Sequence, residues 1–423
     1  WDYQCPVPDS VKYVRFETVS SLTTFFNMVF IRQKSYLTPS ISAINMPDVV
    51  VNLPFEYTFT VDYSDIPVLK YEVTNLHNLN LTLTPDKAVT NYCGTYGTYT
   101  FTLKGNSPYP QENITEKIIL STSAGHNIEI PITITASLLD TYYCNNNGNW
   151  HDLSSWTVSG VTPTVLPSSS NLVIVSKQVT IEDHAAAYGV EVQDGGYINI
   201  SSSGGLTIHA GGYTTSSQEP DLEITIDNEH TGYFRMSPKA TTAMPKAKVN
   251  FTTRGNMNAG GDKDATWQYI GAPGEDVATD LLGTTVLYLR SEEKGWVRLK
   301  TFRAELEEFA GYALTQKTQP DYTFYPQLIN DNKTIQLTYT SSANGGMEGD
   351  NLWANSYMAP LDITKFDLEK DFTGNVEKTF YLYNSGSWNA WNEGMQEGTA
   401  VNGGDTPGRY YAINKANVDP TKD

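Results

Sequence analysis

Long apolar runs and basic side chains are scarce in this chain of 423 residues. No stretch of 18 consecutive apolar residues occurs, so we expect no membrane-spanning helix and no membrane insertion. The 28 basic side chains are outnumbered by 47 acidic ones, for a net charge of −19. Because phosphates and anionic lipid heads repel such a chain, the charge argues against nucleic acid and anionic membranes as partners.

Sequence signatures of catalysis are missing as well. The chain has no GxSxG, no HExxH, no glycine-rich phosphate loop and no CxxC, and its six histidines are scattered. We therefore predict that the protein is not an enzyme.

Cysteine is rare, with three residues in the whole chain. An odd, low count means that disulfides do not hold this fold together. Two alternatives remain open: Cys93 and Cys144 form one bridge and leave Cys5 over, or all three are free thiols.

Residues that favour strands and turns are abundant, including 27 tyrosines and 32 glycines. This composition is typical of many short strands joined by tight turns, so we predict an all-β chain. Its length suits two to four domains. We place them at 1–37 (the end of a preceding β-domain, or strands donated to the next one), 38–138, 139–262 and 263–423.

Residues 38–138 contain six strand-like runs at intervals of about ten residues. Each run alternates between apolar and polar positions, as in a half-buried antiparallel sheet. About a hundred residues with this rhythm predict an immunoglobulin-like sandwich.

Residues 139–262 change to short apolar pairs that are followed by Gly-Gly or Ser-Gly turns. A short β-solenoid needs this pattern, because each turn of the coil directs two alternate side chains inward. A meandering sheet gives similar spacings and remains the alternative. The pairs are Val179/Ile181, Val190/Val192, Ile198/Ile200 and Leu206/Ile208.

The stretch GNWHDLSSW (148–156) lies just before the first of these pairs. A solenoid exposes an apolar end that must be covered, and indole rings are costly to leave in water. We therefore predict that Trp150 and Trp156 form a structural cap, with His151 and Asp152 in solvent. A ligand-binding or catalytic role of this stretch is the alternative.

Residues 263–423 contain an internal repeat. WQYIGAP (267–273) is similar to LWANSYMAP (352–360), and TVLYLRSEEKGW (285–296) is similar to KTFYLYNSGSWNAW (378–391). The repeat predicts a duplicated β-sandwich or jelly-roll module, with the second copy cut off at Asp423.

The segment that begins with GNWHDLSSW and continues through the apolar pairs (148–212) resembles a β-solenoid segment found in large secreted and surface proteins of Bacteroidetes. The pieces at 267–273 and 352–360 resemble the GWN-x-x-GNPY modules that follow it in those proteins, although their cores read IGAP and NSYMAP here. The resemblance implies an extracellular location, a type IX secretion context, and a structural, adhesive or surface-layer role. Partners would then be other copies of the chain or cell-envelope components.

A glycan-binding module is the runner-up hypothesis. Trp388 and Trp391 lie in a polar loop beside Asn389 and Asn392 and would form a platform for sugar rings. Alternatively they cover an open end of the last sandwich, as Trp296 would do in the first copy.

A polysaccharide-degrading solenoid is the third hypothesis, because glycoside hydrolysis usually needs two carboxylates. The candidate groups are Glu182, Asp183, His184, Glu191, Asp194 and His209. Their positions at strand ends and turns are equally typical of solvated residues.

No organic cofactor is expected. Clustered carboxylates favour Ca²⁺, and Asp262 and Asp264 are the candidate calcium ligands, with Glu348 and Asp350 as a second acidic pair. Neither pair matches a complete calcium loop.

Overall fold

The computed structural model describes residues 35–66, 68–89, 96–122, 125–144, 146–227, 230–253, 267–283, 285–300, 304–317, 321–341, 348–384 and 409–414, the last three residues of 348–384 and all of 409–414 as backbone only. The chain divides into two compact units, Trp1–Leu139 and Asp140–Asp423. In the described residues the regular structure is strands and short 3₁₀ turns, without an α-helix, which confirms the predicted all-β class.

The first unit is a sandwich of two four-stranded sheets. Their orders are β1-β3-β6-β5 and β2-β8-β7-β4, in which β2 pairs with β8 in parallel and the other neighbours are antiparallel. Apart from the added β2, this is the strand order of an immunoglobulin domain. The strands are β1 (Tyr36–Pro39), β2 (Ile44–Val50), β3 (Pro54–Ser64), β4 (Leu69–Val73), β5 (Thr82–Pro85), β6 (Tyr96–Asn106), β7 (Gln111–Thr122) and β8 (Asn127–Ser137).

Alternate residues of these strands fill the space between the two sheets. Tyr99, Phe101 and Leu103 of β6 are fully buried, and the ring of Phe101 meets that of Tyr71 from the opposite sheet at 5.4 Å. The alternation in the sequence therefore does predict which face of each strand points inward.

The second unit begins with a coil of short strands that alternate between two sheets. From β12 to β19 each strand lies in the other sheet from its predecessor, and neighbours within a sheet are parallel. We call residues 142–252 the parallel coil. Its strands are β9 (Tyr142–Cys144), β10 (Gly148–Asn149), β11 (Trp156–Thr157), β12 (Leu172–Val175), β13 (Gln178–Ile181), β14 (His184–Val192), β15 (Tyr197–Ile200), β16 (Gly205–Thr215), β17 (Leu222–Ile226), β18 (Tyr233–Met236) and β19 (Lys248–Thr252).

The interior of the parallel coil is a stack of aliphatic side chains. All eight residues of the four apolar pairs seen in the sequence are buried, at 1% exposure or less. The pairing places Val179 beside Ile198 and Ile198 beside Leu222, so each side chain packs on its equivalent in the next turn. A meander does not give this parallel register.

The remaining strands are β20 (Gln268–Ile270), β21 (Val277–Ala278), β22 (Val286–Ser291), β23 (Gly295–Leu299), β24 (Glu305–Leu306), β25 (Tyr312–Thr315), β26 (Asp321–Phe324), β27 (Thr379–Asn384) and β28 (Arg409–Asn414). All of them except β26 form a four-stranded sheet of order β20-β25-β22-β23 and the pairs β21–β24 and β27–β28.

Strand β26 differs from the domain limits expected from the sequence. It lies within the predicted module at 263–423, yet it pairs antiparallel with β19 and completes a sheet of the parallel coil. Val249 of the last turn is thereby paired with Phe324. The strand that pairs with the last turn of the coil, and so covers its edge, therefore comes from the module that follows the coil.

Candidate functional site

The two tryptophans of GNWHDLSSW are buried against each other at the first turn of the parallel coil. Trp150 and Trp156 are exposed by 1% and 0%, and their ring centroids lie 4.9 Å apart in an edge-to-face arrangement. The indole Nε1 of Trp156 donates to the carbonyl oxygen of Trp150 at 2.8 Å. Strand β11, which begins at Trp156, pairs with β9. Both indoles therefore belong to the apolar interior, on the side where the coil begins.

The residues between the two indoles form a capped turn. Asp152 accepts a hydrogen bond from the backbone N–H of Ser154 at 2.9 Å at the start of the 3₁₀ turn Leu153–Ser155. This bond lowers the pKa of Asp152. His151 contacts the carbonyl oxygen of His184 through Nε2 at 3.0 Å. These contacts position the turn that brings Trp156 back into the coil.

Cys144, opposite Trp156 on β9, is a buried free thiol. Burial raises its pKa, so it is a poor nucleophile in the folded protein. The other two cysteines, Cys5 and Cys93, lie outside the described residues.

The acidic and histidine candidates near the coil's corners bond to separate partners. Glu182 accepts from the side-chain amide of Asn149 at 2.7 Å, and Asp183 accepts from the backbone N–H of His184 at 2.7 Å. The Nδ1 of His184 lies 2.9 Å from the hydroxyl of Tyr233. Glu182 and His184 thus make structural contacts that hold turns of the coil together.

The other members of that set are also placed apart. Glu191 accepts from the side chain of Gln193 at 3.0 Å, and Asp194 is exposed in a turn. His209 is half-buried on β16, and burial, followed by the nearby charge of Arg235, lowers its pKa. A lowered pKa keeps His209 neutral at physiological pH.

Several predicted ligands lie outside the described residues: Asp262, Asp264, Trp388, Asn389, Trp391 and Asn392. Glu348 and Asp350 are described and exposed. Within the described ranges no group of three or more His, Cys, Asp or Glu is placed to hold a metal ion.

The two copies of the internal repeat meet at one pocket, which the sequence alone does not predict. The pocket has a volume of about 410 Å³, within the usual range for small-ligand sites. Its walls come from the last turn of the parallel coil and from residues 268–273 and 355–360 of the two repeat copies, and none of its lining residues is charged. Its aromatic lining residues are Tyr233, Phe251, Tyr269, Phe324 and Tyr357.

The repeat copies lie end to end along one strand. Tyr269 of the first copy pairs with Ala313 of β25, and Trp353 of the second copy forms a bridge with Ala310, just before β25. A Cβ atom on Gly271 would lie 2.4 Å from the Cβ of Ala354. Glycine is therefore required where the first copy ends and the second begins.

The second copy also touches the parallel coil. The backbone N–H of Phe234 on β18 donates to the carbonyl oxygen of Met358 at 2.7 Å, and Met358 is buried in the same apolar cluster as the coil interior. The coil, the four-stranded sheet and the second repeat copy thus share one continuous core.

Comparison with known proteins finds a partial relative. No family model matches the chain. Over 115 residues it is 32% identical to the minor fimbrium subunit Mfa5 of Porphyromonas gingivalis, a stretch that covers 26% of this chain and 9% of that protein. The chain therefore shares only a small part of the length of this relative.

Two solved structures show limited similarity. Domains 4 and 5 of the S-layer protein SbsC are 13% identical over 26% of this chain and 57% of theirs, with a TM-score of 0.18. A GH5 xyloglucanase of Bacteroides ovatus in complex with a XXXG heptasaccharide is 10% identical over 40% of this chain and 46% of its own, with a TM-score of 0.19. At these scores neither structure carries an argument about function. In the described part of the chain, no helix is long and apolar enough to cross a membrane.

Proposed function

We propose that the protein is a structural or adhesive component of a Bacteroidetes-type cell surface, in which β-domains act as a rigid scaffold. The observation that carries this proposal is the uninterrupted apolar core of the parallel coil, which runs from the buried Trp150–Trp156 pair to the covering strand β26. A core of this kind stabilises a shape, because each turn of the coil packs on its neighbours.

The partial similarity to a fimbrium subunit supports the same proposal. It agrees with the resemblance of residues 148–212 and of the two repeat copies to Bacteroidetes surface proteins. We further propose that the coil is a β-solenoid capped by the two indoles, and that export follows the type IX route of the proteins it resembles. Other copies of the chain or envelope components are the proposed partners, and Asp262 and Asp264 remain the proposed calcium ligands.

The location on the cell is tested on intact cells of the source organism. An antibody against the purified chain, detected by immunogold electron microscopy, should label intact and permeabilised cells equally. Protease added outside should remove the label from intact cells. Label that appears only after permeabilisation would overturn the proposal.

Glycan binding by the Trp388–Trp391 loop remains a second prediction, since that loop lies outside the described residues. The contacts of Glu182, His184 and Glu191 favour a non-enzymatic role over polysaccharide cleavage. Incubation of the purified chain with soluble polysaccharides should release no reducing ends.

A further inference from the structure

The outer face of the four-stranded sheet carries an exposed aromatic pair. Tyr269 of β20 and Trp296 of β23 are exposed by 47% and 40%, and their ring centroids lie 5.6 Å apart at an interplanar angle of 33°. In the sequence Trp296 was expected to cover an open end of the module. The structure places it at the surface instead, on the side opposite the buried Leu287 and Leu314.

The register explains how two edge strands bring these rings together. Tyr269 is paired with Ala313, Ala313 with Tyr288, and Tyr288 with Arg298, so these four residues form one row on the same face. Ala313 and Tyr288 lie between the two edge strands on this face, so the rings of Tyr269 and Trp296 meet across them. A second aromatic contact joins Tyr288 of the same row to Trp267, with ring centroids 5.5 Å apart.

Positive charge lies directly beside the rings. Trp296 is paired across the hairpin with Arg290, and Arg298 lies in the row of Tyr269. Arg298 is exposed, and no carboxylate of the described residues pairs with it. In a chain with a net charge of −19, this arginine on the same face of the sheet as two exposed rings is a distinctive feature.

Together these observations select a ligand class. Exposed aromatic faces stack on flat apolar surfaces, such as the C–H face of a pyranose ring. A guanidinium group binds carboxylate or sulfate in a fork of two hydrogen bonds. The net negative charge of the chain does not prevent an anionic group from binding to Arg298. Charges more than about 8 Å away are largely screened at physiological ionic strength.

We propose that Tyr269, Trp296 and Arg298 form a binding surface for an acidic polysaccharide, with the sugar rings stacked on the aromatic pair and a carboxylate or sulfate group on Arg298. None of these three residues belongs to the Trp388–Trp391 loop. It gives the proposed scaffold an adhesive contact, but the purified chain must show the binding whether or not the protein is found on a cell surface.

The test measures binding of the full chain to polygalacturonate and to chondroitin sulfate by isothermal titration calorimetry. Fully methyl-esterified polygalacturonate has the same sugar rings without the charge, and polyglutamate has the charge without the rings. The wild-type chain should bind at least one acidic polysaccharide, and it should bind both control polymers at least about tenfold more weakly.

Variants then assign the binding to the surface. Arg298→Gln should weaken binding to the acidic polysaccharide about tenfold, which is the loss of one charge-assisted contact of about 1.4 kcal/mol. Arg298→Lys should retain part of the affinity because it keeps the charge without the planar fork. Trp296→Ala should weaken binding to the acidic polysaccharide and remove any residual binding to the methyl ester.

Matched controls are available in the same unit. Arg235→Gln removes another exposed arginine, and Tyr339→Ala removes a tyrosine that is 71% exposed, so neither should change the affinity. Thermal unfolding of every variant should match the wild type, since all these side chains lie at the surface. The proposal is overturned if neither acidic polysaccharide binds, if a control polymer binds equally well, or if Trp296→Ala binds like the wild type.

Discussion

At the scale of single residues, burial separates tryptophans that look alike in the sequence. Trp156 is fully buried and its Nε1 has a partner, whereas Trp296 is 40% exposed beside an arginine. The sequence predicted the burial of the first from its position before an apolar repeat. It could not predict the exposure of the second, because that depends on which face of a hairpin is covered.

Trp156→Ala should lower the free energy of unfolding of the second unit by about 3–5 kcal/mol, the usual cost of deleting a buried large aromatic side chain. Trp156→Phe should lower the free energy of unfolding by less, because part of the aromatic ring is kept. Some destabilisation should remain, because the hydrogen bond to Trp150 is lost. Urea unfolding followed by far-UV circular dichroism measures both. Trp296→Ala is the control and should change stability by less than about 1 kcal/mol.

Glu116 is a buried carboxylate of the first unit, with a side chain that has no exposure. It accepts hydrogen bonds from the backbone N–H of His77 at 2.9 Å and from the hydroxyl of Thr74, and it lies 2.9 Å from the Nδ1 of His77. Burial opposes ionisation of this group, but the hydrogen bonds outweigh burial and lower its pKa. The ionised carboxylate of Glu116 is therefore the form that binds Thr74 and His77, which follow β4 in the chain.

Because the pKa of Glu116 is lower in the folded state, its contribution to stability is fully present above its ordinary value of 4.5. The contribution is lost as the pH falls through the lower folded pKa. We expect the melting temperature of the first unit to drop over this acidic range. Glu116→Gln should be less stable at neutral pH and lose much of that dependence, as measured by calorimetry at several pH values. A variant that keeps the wild-type pH profile would contradict this assignment.

At the scale of strands, local patterns predicted which residues face inward but not which strands become neighbours. The alternation in β6 and the apolar pairs of the parallel coil identified buried positions correctly. The run IEIPITITA (128–136) contains Pro131, and a proline inside such a run is typical of an edge or exit strand, yet β8 lies between β2 and β7. The pairing explains the difference, because β2 joins β8 only from Ile132 onward, and Pro131 itself has no neighbour on that side.

The pocket and the pairing of β26 could not be predicted from the sequence either, because both depend on contacts between distant parts of the chain. The repeat at 267–273 and 352–360 can be recognised from sequence similarity. That its copies lie end to end beside β25 follows from contacts between residues far apart in the chain, which no local pattern encodes. The membership of β26 in a sheet of the coil was unpredictable for the same reason.

Gly271→Ala tests the end-to-end placement of the repeat copies. The added methyl group would collide with Ala354, whose Cβ cannot rotate away, so the second unit should lose about 1–3 kcal/mol. Ala354→Gly in the same chain removes the collision and should recover most of the loss. A double-mutant cycle in urea measures this coupling, and strictly additive effects would contradict the placement.

At the scale of the whole molecule, each of the two compact units has its own apolar core. Buried side chains of the first unit include Phe101 and Ile132, and those of the second extend from Tyr142 to Met358. Units with separate cores can unfold in separate steps.

Unfolding of the full chain should therefore show two transitions in calorimetry. Glu116→Gln should shift only one of them and Trp156→Ala only the other. Residues 1–139 and 140–423, produced separately, should each reproduce one transition. If both variants shift a single common transition, the units are energetically coupled, contrary to this expectation.

The strands at the margins of the parallel coil have a bearing on aggregation. A parallel ribbon with open margins would recruit further copies strand upon strand, in the way that amyloid fibrils grow. Here β10 and β11 are only two residues long, β26 runs against the direction of its sheet, and the N–H of Phe234 is already bonded to Met358. Extension of the parallel coil by strands of another copy is thereby disfavoured at these ends, so the number of its turns is set within one chain.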